Sequence, residues 1–73
     1  MKENIQPGQI WQHFKGGKYQ IIAVAKHSET LEDLVIYEAL YDIVTSKYWA
    51  RPLNDFLGTK NIDGKDIPRF KLT

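Results

Sequence analysis

The sequence predicts a mostly β fold, a small barrel of five or six short antiparallel strands with one short helical turn. Apolar side chains alternate with a period of two along residues 19–27 and 34–41. Tight-turn signals, Gly16-Gly17 and Asp63-Gly64, separate runs of strand-forming residues. The 73 residues fit one domain, 1–73, and a chain of that size buries only about 60% of the surface it exposes when unfolded.

Each element follows from local chemistry. Pro7-Gly8 is a turn signal, and the aromatic and apolar run at 9–14 reads as the first strand. Gly16 and Gly17 supply the positive φ that a tight hairpin requires. In 19–27, Tyr19, Ile21, Ala23 and Ala25 share one apolar face. Ile22 and Val24 make the other face apolar too, so this strand is expected to be covered on both sides. Its alanines suit a tightly curved interior. Residues 28–33, SETLED, are a polar connection. In 34–41, LVIYEALY, helix is the rival because Glu, Ala and Leu favour it. The β-branched pair and the period-two pattern decide for strand, with Val35, Tyr37, Ala39 and Tyr41 on one face. DIVTSK (42–47) connects to YWARP (48–52), a strand stopped by Pro52, which has no N–H for a ladder. LNDFLG (53–58) fits one helical turn stopped by Gly58, with Leu53, Phe56 and Leu57 on one face as a plug. Asp63-Gly64 closes the last hairpin between Ile62 and Ile67. Short strands joined by tight turns point to the Src-homology-3-like (SH3-like) class of barrel.

Net charge is +1, unevenly spread. Residues 29–42 hold five carboxylates and no Lys or Arg, whereas both flanks are basic. That acidic middle weighs against a uniformly basic nucleic-acid surface. Without cysteine there is no disulfide framework and no thiolate metal site. The first residues lack the apolar core of a secretory signal, and the longest apolar stretch, 21–25, is far too short for a bilayer. A cytoplasmic protein with no membrane partner is expected.

The polar cluster KHSET (26–30) raises the question of chemistry. Strand neighbours point to opposite faces, so His27 and Ser28 cannot act together within one regular strand, whereas His27 and Glu29 share a face. The run therefore offers a His–Glu dyad, not a Ser–His–Glu triad. The competing reading is a strand end whose Ser28 and Thr30 bond local backbone groups. His13 with His27 and Glu29 would make a metal set, but pairing about Gly16-Gly17 sets His13 opposite residues near 20. No metal and no cofactor are expected. Tyr37, Tyr41 or Trp49 can wall a concave site with His27, Glu29 and Arg51 at its rim, and Arg69 shares the two readings of Arg51. Each arginine either grips an anion or pairs with the 29–42 acids.

HFKGGKY, AKHSET, VIYEALY, YWARP and IPRF, in this order, resemble a small bacterial family catalogued as a domain of unknown function, number 1653. The resemblance spans residues 7–70. It implies no activity. Position by position it implies recurrent residues at His13, Lys15, His27, Ser28, Glu29, Tyr37, Tyr41, Trp49, Arg51 and Arg69. The expected function is a non-enzymatic binding module for a peptide, a protein or a small modified group. Its ligand-binding residues would be His13, His27, Ser28, Glu29, Tyr37, Tyr41, Trp49, Arg51 and Arg69, with none assigned as catalytic. The first alternative is a nucleic-acid accessory domain using Lys15, Lys18, Lys26, Arg51 and Arg69 on one face. The second is a small enzyme using the His27–Glu29 dyad.

Overall fold

A computed structural model describes residues 5–41 and 46–73. The elements run β1 (Ile10–His13), β2 (Lys18–Lys26), β3 (Asp33–Ala39), β4 (Tyr48–Pro52), α1 (Leu53–Phe56), β5 (Thr59–Ile62), β6 (Lys65–Pro68) and β7 (Phe70–Leu72). The fold is mostly β, as expected, with one short helix. Among the described residues the strands form two antiparallel sheets, one of five strands in the order β4-β3-β2-β1-β7 and one of β5 with β6. The larger sheet is open: β4 and β7 are its edges and do not pair. Barrel closure, expected from the short strands, is therefore not seen among the described residues. Strand β7 went unread in the sequence, because three residues carry no period. Most of the 42–47 connection, residues 42–45, lies outside the described residues.

The turns behave as their residues require. Asp63 (φ 53°) and Gly64 (φ 81°) both take positive φ, which is the backbone of a two-residue hairpin whose twist matches its strands. Gly16 also has positive φ, 107°. Gly17 does not need it. Its role is space, since a Cβ there would lie 2.7 Å from Cε1 of Tyr41.

Strand β2 changes face part-way. Ile21 sits opposite Tyr37 and Ala23 opposite Ile36, so Ile22 is an extra residue, a β-bulge. Beyond it the alternation inverts. Val24 and not Ala23 stands opposite the buried Val35. This corrects the expectation that Ala23 and Ala25 face inward with Ile21. Coverage on both faces is corrected too: Ile22 is 41% exposed, and even Val24, opposite Val35, is 41% exposed near the end of the strand.

The core is Trp11, Ile21, Val35, Tyr37, Phe56 and Phe70. Helix α1 starts where Pro52 ends β4, and it drives Phe56 into the core against the sheet. Phe56 stacks on Phe70 with ring centroids 4.1 Å apart and meets Trp11 and Tyr37 edge to face. The helical plug read from Leu53, Phe56 and Leu57 is therefore present. Among the described residues no helix is long and apolar enough to cross a membrane.

One turn stores strain. Leu31, between β2 and β3, has φ 63° and is 67% exposed. A left-handed backbone costs an L-residue about 1–2 kcal/mol, and Asn tolerates it better than Leu. Leu31→Asn should raise stability by about 0.5–1 kcal/mol in urea melts. A loss of stability would mean that the leucine side chain packs on something.

Candidate functional site

Residues opposite one another in an antiparallel pair share a face. Tyr37 lies between Ile21 and Trp49, Val35 is opposite Arg51, and His13 is opposite Phe70. Trp49 and Arg51 therefore stand on the core side of the edge strand. Arg69 occupies the bend between β6 and β7, and its backbone is held from two sides. Its N–H donates to the Gly58 carbonyl at 3.0 Å, and its carbonyl accepts from the Phe14 N–H at 3.0 Å. Every strand of the larger sheet, and the bend before β7, thus feeds one patch.

Phe70 is the centre of that patch. His13, Tyr37 and Tyr19 meet it edge to face at 5.0, 5.7 and 5.9 Å. The Arg51 guanidinium lies over its ring at 5.8 Å. Arg51 Nε donates to the Tyr37 hydroxyl at 3.3 Å. Beyond Tyr37, the Tyr19 and Tyr41 hydroxyls hydrogen-bond each other, and the Tyr41 ring fills the space that Gly17 leaves. Burial, and then the hydrogen bond with Tyr41, raise the Tyr19 phenol above its ordinary range, while Arg51 opposes the shift. Among the described residues, two buried nitrogens of this region have no hydrogen-bond acceptor: Arg69 Nε and Trp49 Nε1.

The patch is electropositive. Burial is the largest cause lowering the His13 imidazole, followed by the charges of Arg51, Arg69 and Lys15. The ion pairs among the described residues lie elsewhere, at Lys26–Asp33 (2.7 Å) and Lys47–Glu38 (3.1 Å). His13 Nδ1 accepts the Lys15 backbone N–H at 3.1 Å, so Nε2 carries the hydrogen in the neutral ring. Between the depressed folded value and the ordinary imidazole value of about 6.5, the unfolded chain binds more protons. The contribution of His13 is complete above that window and fades as pH falls through it. In urea melts, wild type should exceed His13→Gln by more at about pH 8 than at about pH 5. A difference that grows on acidification would refute the depressed imidazole.

Of the residues singled out in the sequence, His13, Tyr37, Tyr41, Trp49, Arg51 and Arg69 gather here. His27, Ser28 and Glu29 do not. They lie at the far end of β2, roughly 14 Å from Arg51 by strand spacing and rise. The His–Glu dyad is absent as well. His27 Nδ1 accepts two backbone N–H groups, from Glu29 at 3.1 Å and Thr30 at 3.3 Å. The His27 N–H bonds the Glu32 carbonyl, and its own carbonyl takes the Leu31 N–H. KHSET is thus a turn built on an imidazole acceptor. Ser28 makes no hydrogen bond among the described residues, and Thr30 Oγ1 accepts the Glu32 N–H at 3.4 Å.

Two members of the patch escaped the sequence reading, Tyr19 and Phe70. Both looked like ordinary core aromatics, and the pairing of β7 with β1 that brings Phe70 in leaves no periodic signal. The cations of the nucleic-acid alternative do not share a face: Lys18 is one residue out of phase with Tyr19, and Lys26 is tied to Asp33. Among the described residues no three His, Asp or Glu side chains gather as a metal site.

A family model described as a protein of unknown function (DUF1653) matches residues 9–72. The chain is a DUF1653 protein. A crystal structure of a DUF1653 protein from Bordetella bronchiseptica superimposes with a TM-score of 0.80 at 30% identity, covering 92% of this chain and 85% of that one. No curated protein matches the chain. The DUF1653 assignment thus agrees with the motif resemblance over nearly the same residues, and it carries no stated activity.

Proposed function

We propose that this DUF1653 protein is a cytoplasmic, non-enzymatic recognition module. It receives a peptide, a protein segment or a small modified group on the patch around Phe70. The observation that supports this reading is that Arg51, over the Phe70 ring, and Arg69 both act on His13 with no carboxylate partner among the described residues. Surface arginines in a domain rich in acids ordinarily find carboxylates. Unpaired cations beside partly exposed aromatics, here Tyr19 and Tyr41, are a common signature of a binding site. A cytoplasmic setting accords with a chain that has no cysteine to oxidise.

The module reading is favoured over the enzyme because the imidazole of His27 is committed to backbone groups and Glu29 brings it no carboxylate. It is favoured over the nucleic-acid reading because Lys26 is paired and the cations are spread over both faces. A nitrogen-15 NMR screen against a mixed peptide and small-molecule library tests it. Shifts should cluster on Tyr19, Tyr37, the Trp49 indole, Arg51 and Arg69. Shifts confined to residues 26–30, or a steep loss of affinity for random oligonucleotides with salt and no other binding, would overturn it.

A further inference from the structure

We propose that the group this patch receives is an oxyanion, a carboxylate or phosphoryl group on an apolar or aromatic body, held between the guanidinium groups of Arg51 and Arg69. The inference rests on the reading of the Phe70 patch as the binding site.

Arg69 supplies the first argument. Its main chain is fixed by Gly58 on one side and Phe14 on the other, which sets where its side chain starts. Its Nε is buried without an acceptor among the described residues. Its terminal nitrogens are neither buried nor paired among the described residues, so an anion can reach them and offset the cost of the unpaired Nε. Arg51 supplies the second. Its Nε is spent on the Tyr37 hydroxyl, which orients the guanidinium plane. Its terminal nitrogens have no partner among the described residues, and they keep the fork that matches a carboxylate or phosphate edge.

His13 adds a neutral donor. With Nδ1 occupied by the Lys15 N–H, the hydrogen is on Nε2. The charges that face His13 are Lys15 from the β1–β2 turn, Arg51 from β4 and Arg69 from the bend before β7, all cationic. A quaternary ammonium or other cation would meet repulsion from each of them. The half-buried Tyr19 and the exposed Tyr41, whose rings meet edge to face at 5.5 Å, offer ring surface for an apolar body beside the anion.

The test is an NMR titration of the labelled protein with benzoate, phenyl phosphate, inorganic phosphate, phenol and tetramethylammonium. Benzoate or phenyl phosphate should move the Arg51 and Arg69 Nε–H, Tyr37 and His13 signals saturably. The His13 titration should shift to higher pH in the complex, because a bound anion offsets the three cations. Comparing benzoate, phenyl phosphate and inorganic phosphate separates a carboxylate from a phosphoryl source. Arg51→Gln and Arg69→Gln should each weaken binding roughly tenfold or more, and Arg69→Gln stands as the independent check if Arg51→Gln disturbs the fold. Phenol or tetramethylammonium moving these signals while the anions do not would overturn the oxyanion and leave the site standing. Silence from all five probes overturns the oxyanion. If the peptide library also leaves the patch silent, the site reading falls with it.

Discussion

Phe56→Ala should leave the chain largely unfolded at room temperature. Phe56 is completely buried, stacks face to face on Phe70 and meets Trp11 and Tyr37 edge on. Truncating a buried phenylalanine costs about 3–5 kcal/mol, from lost transfer energy and the cavity left behind. A single core in a chain this short rarely supplies more than about 3–5 kcal/mol in total. The two magnitudes are equal, so one substitution consumes the stability. The cavity would not collapse easily. Phe56 comes from a four-residue helix whose position is set by Pro52 and the end of β4, and the sheet beneath it is hydrogen-bonded on both sides. Circular dichroism and the dispersion of the NMR spectrum measure the outcome. A folded variant within about 1 kcal/mol of wild type would show that α1 is not the plug of the core.

His27→Ala should cost about 1–2 kcal/mol of stability, while Glu29→Ala should change it by less than about 0.5 kcal/mol. The reason is the direction of the hydrogen bonds. The imidazole accepts two backbone N–H groups, and its loss leaves both seeking water in a turn that Leu31 already strains. The Glu29 carboxylate takes no part in that turn among the described residues. His27→Asn should recover part of the loss, since its carbonyl oxygen also accepts. If Glu29→Ala cost as much as His27→Ala, the carboxylate and imidazole would be acting as a pair after all. Neither substitution should alter binding at the Phe70 patch, which is built on other elements.

Much of this was readable along the chain. The first hairpin, the Asp63-Gly64 turn, the stop at Pro52 and the plug from Leu53 to Leu57 are each written in a few neighbouring residues. Proline lacks a donor, glycine admits positive φ and short-period alternation marks a half-buried strand, so each signal acts on its own neighbourhood. The mostly β class follows from their sum. Tyr37, Tyr41, Trp49 and the two arginines of the patch were also nameable one by one, because Arg51 and Arg69 among aromatics are chemically conspicuous.

The order of the elements, the turns between them and the residue types able to bind are thus local properties of the chain. Which of those residues meet depends on how distant strands pair. The bulge at Ile22 inverts the alternation of β2, and a one-residue shift exchanges the faces of every residue after it. Pairing of β7 with β1 carries Phe70 and the adjacent Arg69 to His13 across more than fifty residues of chain. The same pairing leaves KHSET at the opposite end of β2, where its histidine holds a turn. Local signals act over a few residues, whereas register and strand order are set by the shared burial of Trp11, Ile21, Tyr37, Phe56 and Phe70. That burial exists only once distant segments have come together.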